Sequence, residues 1–240
     1  MKQTTACVRA RLTAAIAAGR VKQSFALVSR RRVDPTTIGW DARRVIDDLA
    51  KPYLHDYLRH VREAMLAKVN GLSEYDVRRP QTTTGTNLLG LIKHLSTWEA
   101  RYFGEVFDRP FPESLPRWDV EADRLADMWA TEHESRGDIV DRYRRVWDHS
   151  DATIDALAID APGHVAWWPR PEVTLFAVLV HMLVETSRHA GHADILREEL
   201  DGAVGTDAES MASKAHDAAF WTEQRATIER AARAAGPTDA

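Results

Sequence analysis

The sequence predicts an all-α fold: a four-helix bundle with an N-terminal extension and an extra C-terminal helix. Three observations lead there. Apolar residues recur at helical spacing in four long segments. No run of β-branched residues alternates with period two over a useful length. Glycine and proline clusters mark off the segments from one another. With 240 residues and 44% hydrophobic content, the chain can bury one sizeable core.

Residues 1–33 contain Lys2, Arg9, Arg11, Arg20, Lys22, Arg30, Arg31 and Arg32 and no Asp or Glu. The apolar patch LTAAIAAG is too short for a secretory signal. The composition resembles an organellar transit peptide or a nucleic-acid-binding arm, and its plainest reading is a disordered or loosely attached basic tail over residues 1–40. Order is expected from near Asp41, and the bundle from 41 to 205.

In the first bundle segment, Leu54, Tyr57, Leu58, Val61, Met65 and Val69 follow helical spacing. Pro52 is read as the start of a new helix, because proline fits a first turn but not an interior. Asn70-Gly71 stops the segment. A second helix follows TTTGT, with Thr84 or Thr86 as N-cap, and ends before Pro110. After the loop DRPFPESLPRW, a third helix spans about Ser135 to Leu157. DAPGHVAWWPRPEV reads as a loop with a turn at Pro162-Gly163. The fourth helix runs from about Glu172 to Leu200, before Gly202. A weaker, alanine-rich segment from about Ser213 to Ala235 supplies the C-terminal helix within 206–240.

Bulk properties exclude several function classes. The net charge of -4 gives no general affinity for nucleic acid or anionic membrane. No eighteen consecutive apolar residues exist to span a bilayer. The single cysteine, Cys7, has no internal partner, which fits a reducing cytoplasm.

The fourth helix contains HMLVETSRHAGHADILREEL, dense in metal-capable side chains. At about 100° per residue, His181, Glu185, Arg188, His189 and His192 all fall within roughly 100° of arc. Phe176, Ala177, Val180, Val184, Ile195 and Leu196 surround them, so much of this helix is expected to be buried. Ionisable groups beside a core face are costly unless paired or bound to metal. On the second helix His94 shares a face with Leu91, Trp98 and Tyr102, while Lys93, Glu99 and Arg101 mostly point elsewhere, so His94 is expected to look inward. Glu185 and His189, spaced i,i+4, stack on consecutive turns, and His94 would close a set of three metal ligands from across the bundle. Imidazole and carboxylate donors suit Zn²⁺ in an open site; Ni²⁺, Fe²⁺ and Mn²⁺ share the same donor chemistry. Other readings stand beside this one: His94 as a satisfied core histidine, His181 donating to a backbone carbonyl, and Glu185 paired with His189 or another helix. The ferritin-like di-metal pattern needs Glu-x-x-His on two helices, and only one such cluster is present, so one ion is expected.

TTGTNLLGLIKHLSTWEARYFGEVF and HMLVETSRHAGHADILREELDG closely resemble the DinB-like superfamily, in particular its actinobacterial mycothiol S-transferase-like branch. ADMWATEHES and IDAPGHVAWWP extend the similarity, which takes in residues 50–205. The resemblance implies a DinB-like four-helix bundle, often homodimeric, with one divalent metal on His94, Glu185 and His189. His192 stands where other members often have glutamine, which implies a supporting role; His181 is grouped with it. The mycothiol-dependent isomerase branch also has glutamate at the position of Glu185, but the isomerase's additional C-terminal domain is absent.

The function expected from this resemblance is metal-dependent transfer of a low-molecular-weight thiol, mycothiol as co-substrate, onto an electrophilic small molecule, as in detoxification. The ion would acidify the thiol. No protein nucleophile is required, in keeping with the only cysteine lying in the tail. Trp98, Tyr102 and Trp167 or Trp168 would wall the substrate pocket, with Arg188 against acidic groups of the thiol. The rivals are a non-catalytic metal-binding stress or sensor bundle, and a hydrolase using metal-bound water with Glu185 or His192 as proton acceptor.

Overall fold

The structure, a computed structural model, describes residues 42–117, 119–206 and 218–236, with side chains from residue 49 onward, residue 122 excepted. The basic tail assigned to 1–40 lies outside the described residues. In chain order the elements are α1 (Ala42–Ala67), α2 (Glu74–Arg78), α3 (Leu88–Phe103), α4 (Arg136–Ala156), β1 (Pro162–His164), β2 (Glu172–Thr174), α5 (Leu175–Asp201) and α6 (Ala218–Ala235). The fold is all-α apart from one two-stranded antiparallel sheet. No helix among the described residues is long and apolar enough to cross a membrane.

The long helices α1, α3, α4 and α5 form the bundle. One core gathers Met65, Val77, Leu88, Leu91, Leu95, Tyr143, Val146 and Ala193. A second joins Leu58, Phe103, Ile154, Val165, Val178 and Met182. All four helices contribute to both cores, and near-complete burial marks α3 as the central one. Every one of its residues is buried except His94 and Trp98.

That burial takes in charged side chains as well: Lys93, Glu99 and Arg101 are buried, at 6%, 0% and 2% exposure. They are tolerated because each is paired. Lys93 reaches Glu134 at 2.8 Å and donates to the Trp129 carbonyl at 3.0 Å. Glu99 accepts from Arg62 of α1 at 2.7 Å, and Arg62 also grips Asp151 of α4 at 2.7 Å. Arg101 donates to the Pro116 carbonyl. His94 turns toward α5, its side chain 21% exposed and its ring 4.9 Å from that of His189.

Several local expectations change. Pro52 lies inside α1, which continues through it; loss of one intrahelical bond does not break so long a helix. Tyr57 is exposed although its spacing matched the core. The cap of α3 is Asn87, not Thr84 or Thr86: its Oδ1 accepts from the Gly90 N–H at 2.8 Å. Such a cap is worth about 1 kcal/mol. Glu172–Thr174 is strand, and α5 begins at Leu175 with Thr174 as its cap. Phe176, Val184 and Ile195 of α5 stand exposed, because the bundle covers only part of that helix.

The segment expected as a loop is a short hairpin, with Gly163 opposite Val173. Val165 is fully buried beside it. Gly163 sits where any Cβ would meet the Phe107 ring at 2.7 Å, so only glycine lets the hairpin lie this close to the segment after α3. The hairpin loop thereby delivers Trp167 and Trp168 to one place.

Candidate metal and substrate site

Two side-chain ladders face each other across the bundle. On α3, His94, Trp98 and Tyr102 occupy successive turns; on α5, His181, Glu185 and His189 do the same. The helices run antiparallel here. His94 meets His189, with ring centroids 4.9 Å apart, and Tyr102 meets His181 at 4.6 Å. Trp98 stands 6.3 Å from His94 and 6.1 Å from Tyr102. Glu185, between the two histidines of its own helix, brings Oε2 within 3.6 Å of His189 Nε2.

The hairpin closes one end. Trp167 and Trp168 both donate their indole N–H to the Tyr102 hydroxyl, at 3.3 and 3.0 Å. Trp168 also packs on His181, centroids 4.8 Å apart. Burial raises the Tyr102 pKa above its ordinary value, and nearby Glu185 adds to the rise against the two indole bonds. The hydroxyl therefore stays protonated at neutral pH. The predicted wall of Trp98, Tyr102 and Trp168 is thus one contiguous aromatic surface, with Trp167 in it as well.

Burial governs the imidazoles too. His189 is pulled down to about 4, first by desolvation and then by electrostatic repulsion from His94, His192 and Arg188. Its ring is neutral at pH 7, as a metal ligand must be. Its Nδ1 is buried and has no hydrogen-bond partner, a costly condition for a polar atom without a ligand. Desolvation likewise lowers His181, against the pull of Glu185. His181 is flanked by Tyr102 and Trp168, so it forms wall. His192 is exposed, its ring 5.4 Å from that of His189. Arg188 is exposed on the same helix.

One member of the cluster escaped the sequence reading. His94 Nδ1 lies 2.7 Å from Asp127 Oδ2, and the Trp98 indole donates to the same oxygen at 3.0 Å. Burial pushes the Asp127 carboxyl up, but His94 and Trp98 outweigh it and hold the group below its ordinary value. Asp127 lies in an irregular loop 33 residues from His94, where no periodicity ties the two together. Its motif, ADMW, was visible only as part of a family resemblance.

In donor chemistry the cluster fits a divalent ion: two imidazoles from different helices, one carboxylate, and an orphaned imidazole nitrogen. As the side chains stand, no three His, Cys, Asp or Glu groups among the described residues are gathered tightly enough to hold one. Glu185, 3.6 Å from His189, is 31% exposed. A separate groove of about 1100 Å³ runs between α1, α4 and α5, lined by Tyr57, Ala64, Val140, Ser187 and Gly191. Its α5 residues occupy the opposite side of the helix from Glu185 and His189, so it is not this site.

This helical bundle, whose central helix opens only at a histidine and a tryptophan facing a Glu-x-x-x-His helix, is a member of the DinB-like superfamily. Within that class the match is specific. The Mycothiol-S-transferase family model covers residues 53–202, well over half of the chain, which therefore belongs to the mycothiol S-transferase family. No curated protein matches the chain significantly.

Proposed function

We propose that this protein is a metal-dependent thiol S-transferase that joins mycothiol, or a close low-molecular-weight thiol, to an electrophilic small molecule. The family match supports the thiol. The observation that carries the metal is the approach of His94 and His189, 4.9 Å between centroids, with Glu185 beside them and one imidazole nitrogen orphaned. His94, Glu185 and His189 would hold the ion, Zn²⁺ first by donor type, with Ni²⁺, Fe²⁺ or Mn²⁺ sharing that chemistry. Such an ion supplies acidity: a thiol brought to it ionises at neutral pH.

The remaining residues do the binding. Trp98, Tyr102, Trp167 and Trp168 offer an aromatic wall that excludes water and receives the apolar part of the electrophile. Arg188, exposed at the mouth, would steer polar groups of the thiol, and His192 lies within reach of the same edge. In the transfer, sulfur forms a bond to carbon with its own electron pair, the leaving group departs with the pair of the broken bond, and the thiol proton passes to solvent. A reducing cytoplasm would keep the co-substrate as a thiol.

The test is metal analysis of protein purified without a histidine tag, followed by assay with mycothiol and monochlorobimane. Conjugation should be accelerated by the metal-loaded protein, abolished by chelation and restored by the ion. Metal uptake with no acceleration over metal-free protein would remove the transferase reading and leave a non-catalytic bundle; hydrolysis of an ester without thiol would point to activated water.

A further inference from the structure

The loop between α3 and α4 is bound across the exposed edge of α3. The Met128 carbonyl oxygen lies where a Cβ on Gly90 would be only 1.9 Å away, so the loop backbone touches the helix backbone at that glycine. Lys93 holds the next carbonyl, that of Trp129, at 3.0 Å, and ties down Glu134 at 2.8 Å. Leu125, at φ 62°, turns the chain just before Asp127. These restraints place one carboxylate over His94. Its Oδ2 faces Nδ1 at 2.7 Å and also receives the Trp98 indole N–H at 3.0 Å.

An ionised carboxylate only accepts, and an indole nitrogen only donates. The nitrogen of His94 that faces Oδ2 therefore carries the proton, and in the neutral ring the lone pair is left on Nε2. The ring is also held against rotation, since Oδ2 is itself fixed by Trp98. We propose that Asp127 is a positioning residue for His94: it sets the tautomer and orientation in which Nε2 is presented as a donor toward the His189 side. This rests on the metal reading above. Carboxylates behind ligating histidines are worth about 10–100-fold in metal affinity.

The experiment uses full-length protein and three variants, Asp127→Ala, Asp127→Asn and Trp98→Phe. Zinc affinity is measured by competition with a chromophoric chelator, and the His94 tautomer by nitrogen NMR of the metal-free protein, assigned with His94→Gln. Wild type should show Nδ1–H at His94. Asp127→Ala should lose that preference and bind zinc about 10–100-fold more weakly. Asp127→Asn keeps an acceptor oxygen without the charge and should fall between. Trp98→Phe leaves the acceptor facing His94 and should lose least. A melting curve of each metal-free variant separates this effect from a merely loosened loop. Zinc affinity of Asp127→Ala within twofold of wild type, or Nε2–H at His94 in wild type, would overturn the assignment. If wild type took up no zinc, the metal reading would fall, while the NMR result would still decide the tautomer.

Discussion

His94 and His189 come from different helices, 95 positions apart in sequence, and their rings meet edge to face at 74°. His94 is braced from behind by Asp127, whereas the buried nitrogen of His189 has no partner at all.

Replacing either ring should therefore remove the metal and leave the fold. His94→Ala and His189→Ala should each bring bound zinc close to zero and conjugation to background. Both positions are partly open, so the metal-free melting temperature should change little. Glu185→Ala should weaken binding less than either. Metal content and circular dichroism of the three variants check this; full occupancy in His94→Ala would discard the ligand set.

Acid should destabilise the metal-free protein in a defined window. The His189 pKa is about 4 when folded against an ordinary 6.5. Between those values the unfolded chain binds a proton that the folded ring does not, so stability declines as pH falls from 6.5 toward 4. The slope is at most about 1.4 kcal/mol per pH unit, reduced by the partial hydration of the site. His189→Gln should flatten it. Urea titrations across this range measure the slopes, and parallel slopes for variant and parent would contradict the assignment.

The buried pair of Arg62 and Glu99 should be intolerant of losing one member. Arg62 is 1% and Glu99 0% exposed. Arg62→Met strands a carboxylate beneath α3 and should cost about 3–5 kcal/mol. The double replacement Arg62→Met with Glu99→Leu should recover a large part of that loss. Chemical denaturation of the single and double variants decides it.

Gly90→Ala tests the loop that carries Asp127. The new methyl would lie 1.9 Å from a carbonyl oxygen of the backbone, which no side-chain rotation relieves. Overpacking of this kind costs about 1–3 kcal/mol. The variant should also bind zinc more weakly, although Gly90 touches no ligand. Calorimetric melting paired with a zinc titration gives both readouts.

The bundle was legible because its signals are periodic. Leu58, Met65, Leu91, Leu95, Ile139, Tyr143 and Val146 keep helical spacing and are buried. The pairing of Glu185 and His189 was equally readable, being one turn of a helix. What escaped has no period. The hairpin strands are three residues each, too short to alternate. Asn87 displaced two threonines as cap because it directly precedes Leu88, where the apolar run and the helix both begin. Buried Lys93, Glu99 and Arg101 defeat any rule that sends charge outward, since their partners come from other segments. Asp127 failed for the same reason: its meaning depends on a loop whose course is set by Gly90 and Lys93.

The aromatic ladder gives the molecule an optical reporter. Three of the eight tryptophans, Trp98, Trp167 and Trp168, stand within 6.1 Å of the Tyr102 ring. Excitation absorbed by Tyr102 will pass to these indoles, and their emission will respond to whatever enters beside His94. A ligand that bound against this wall would be followed by the chain's own fluorescence, with no dye attached.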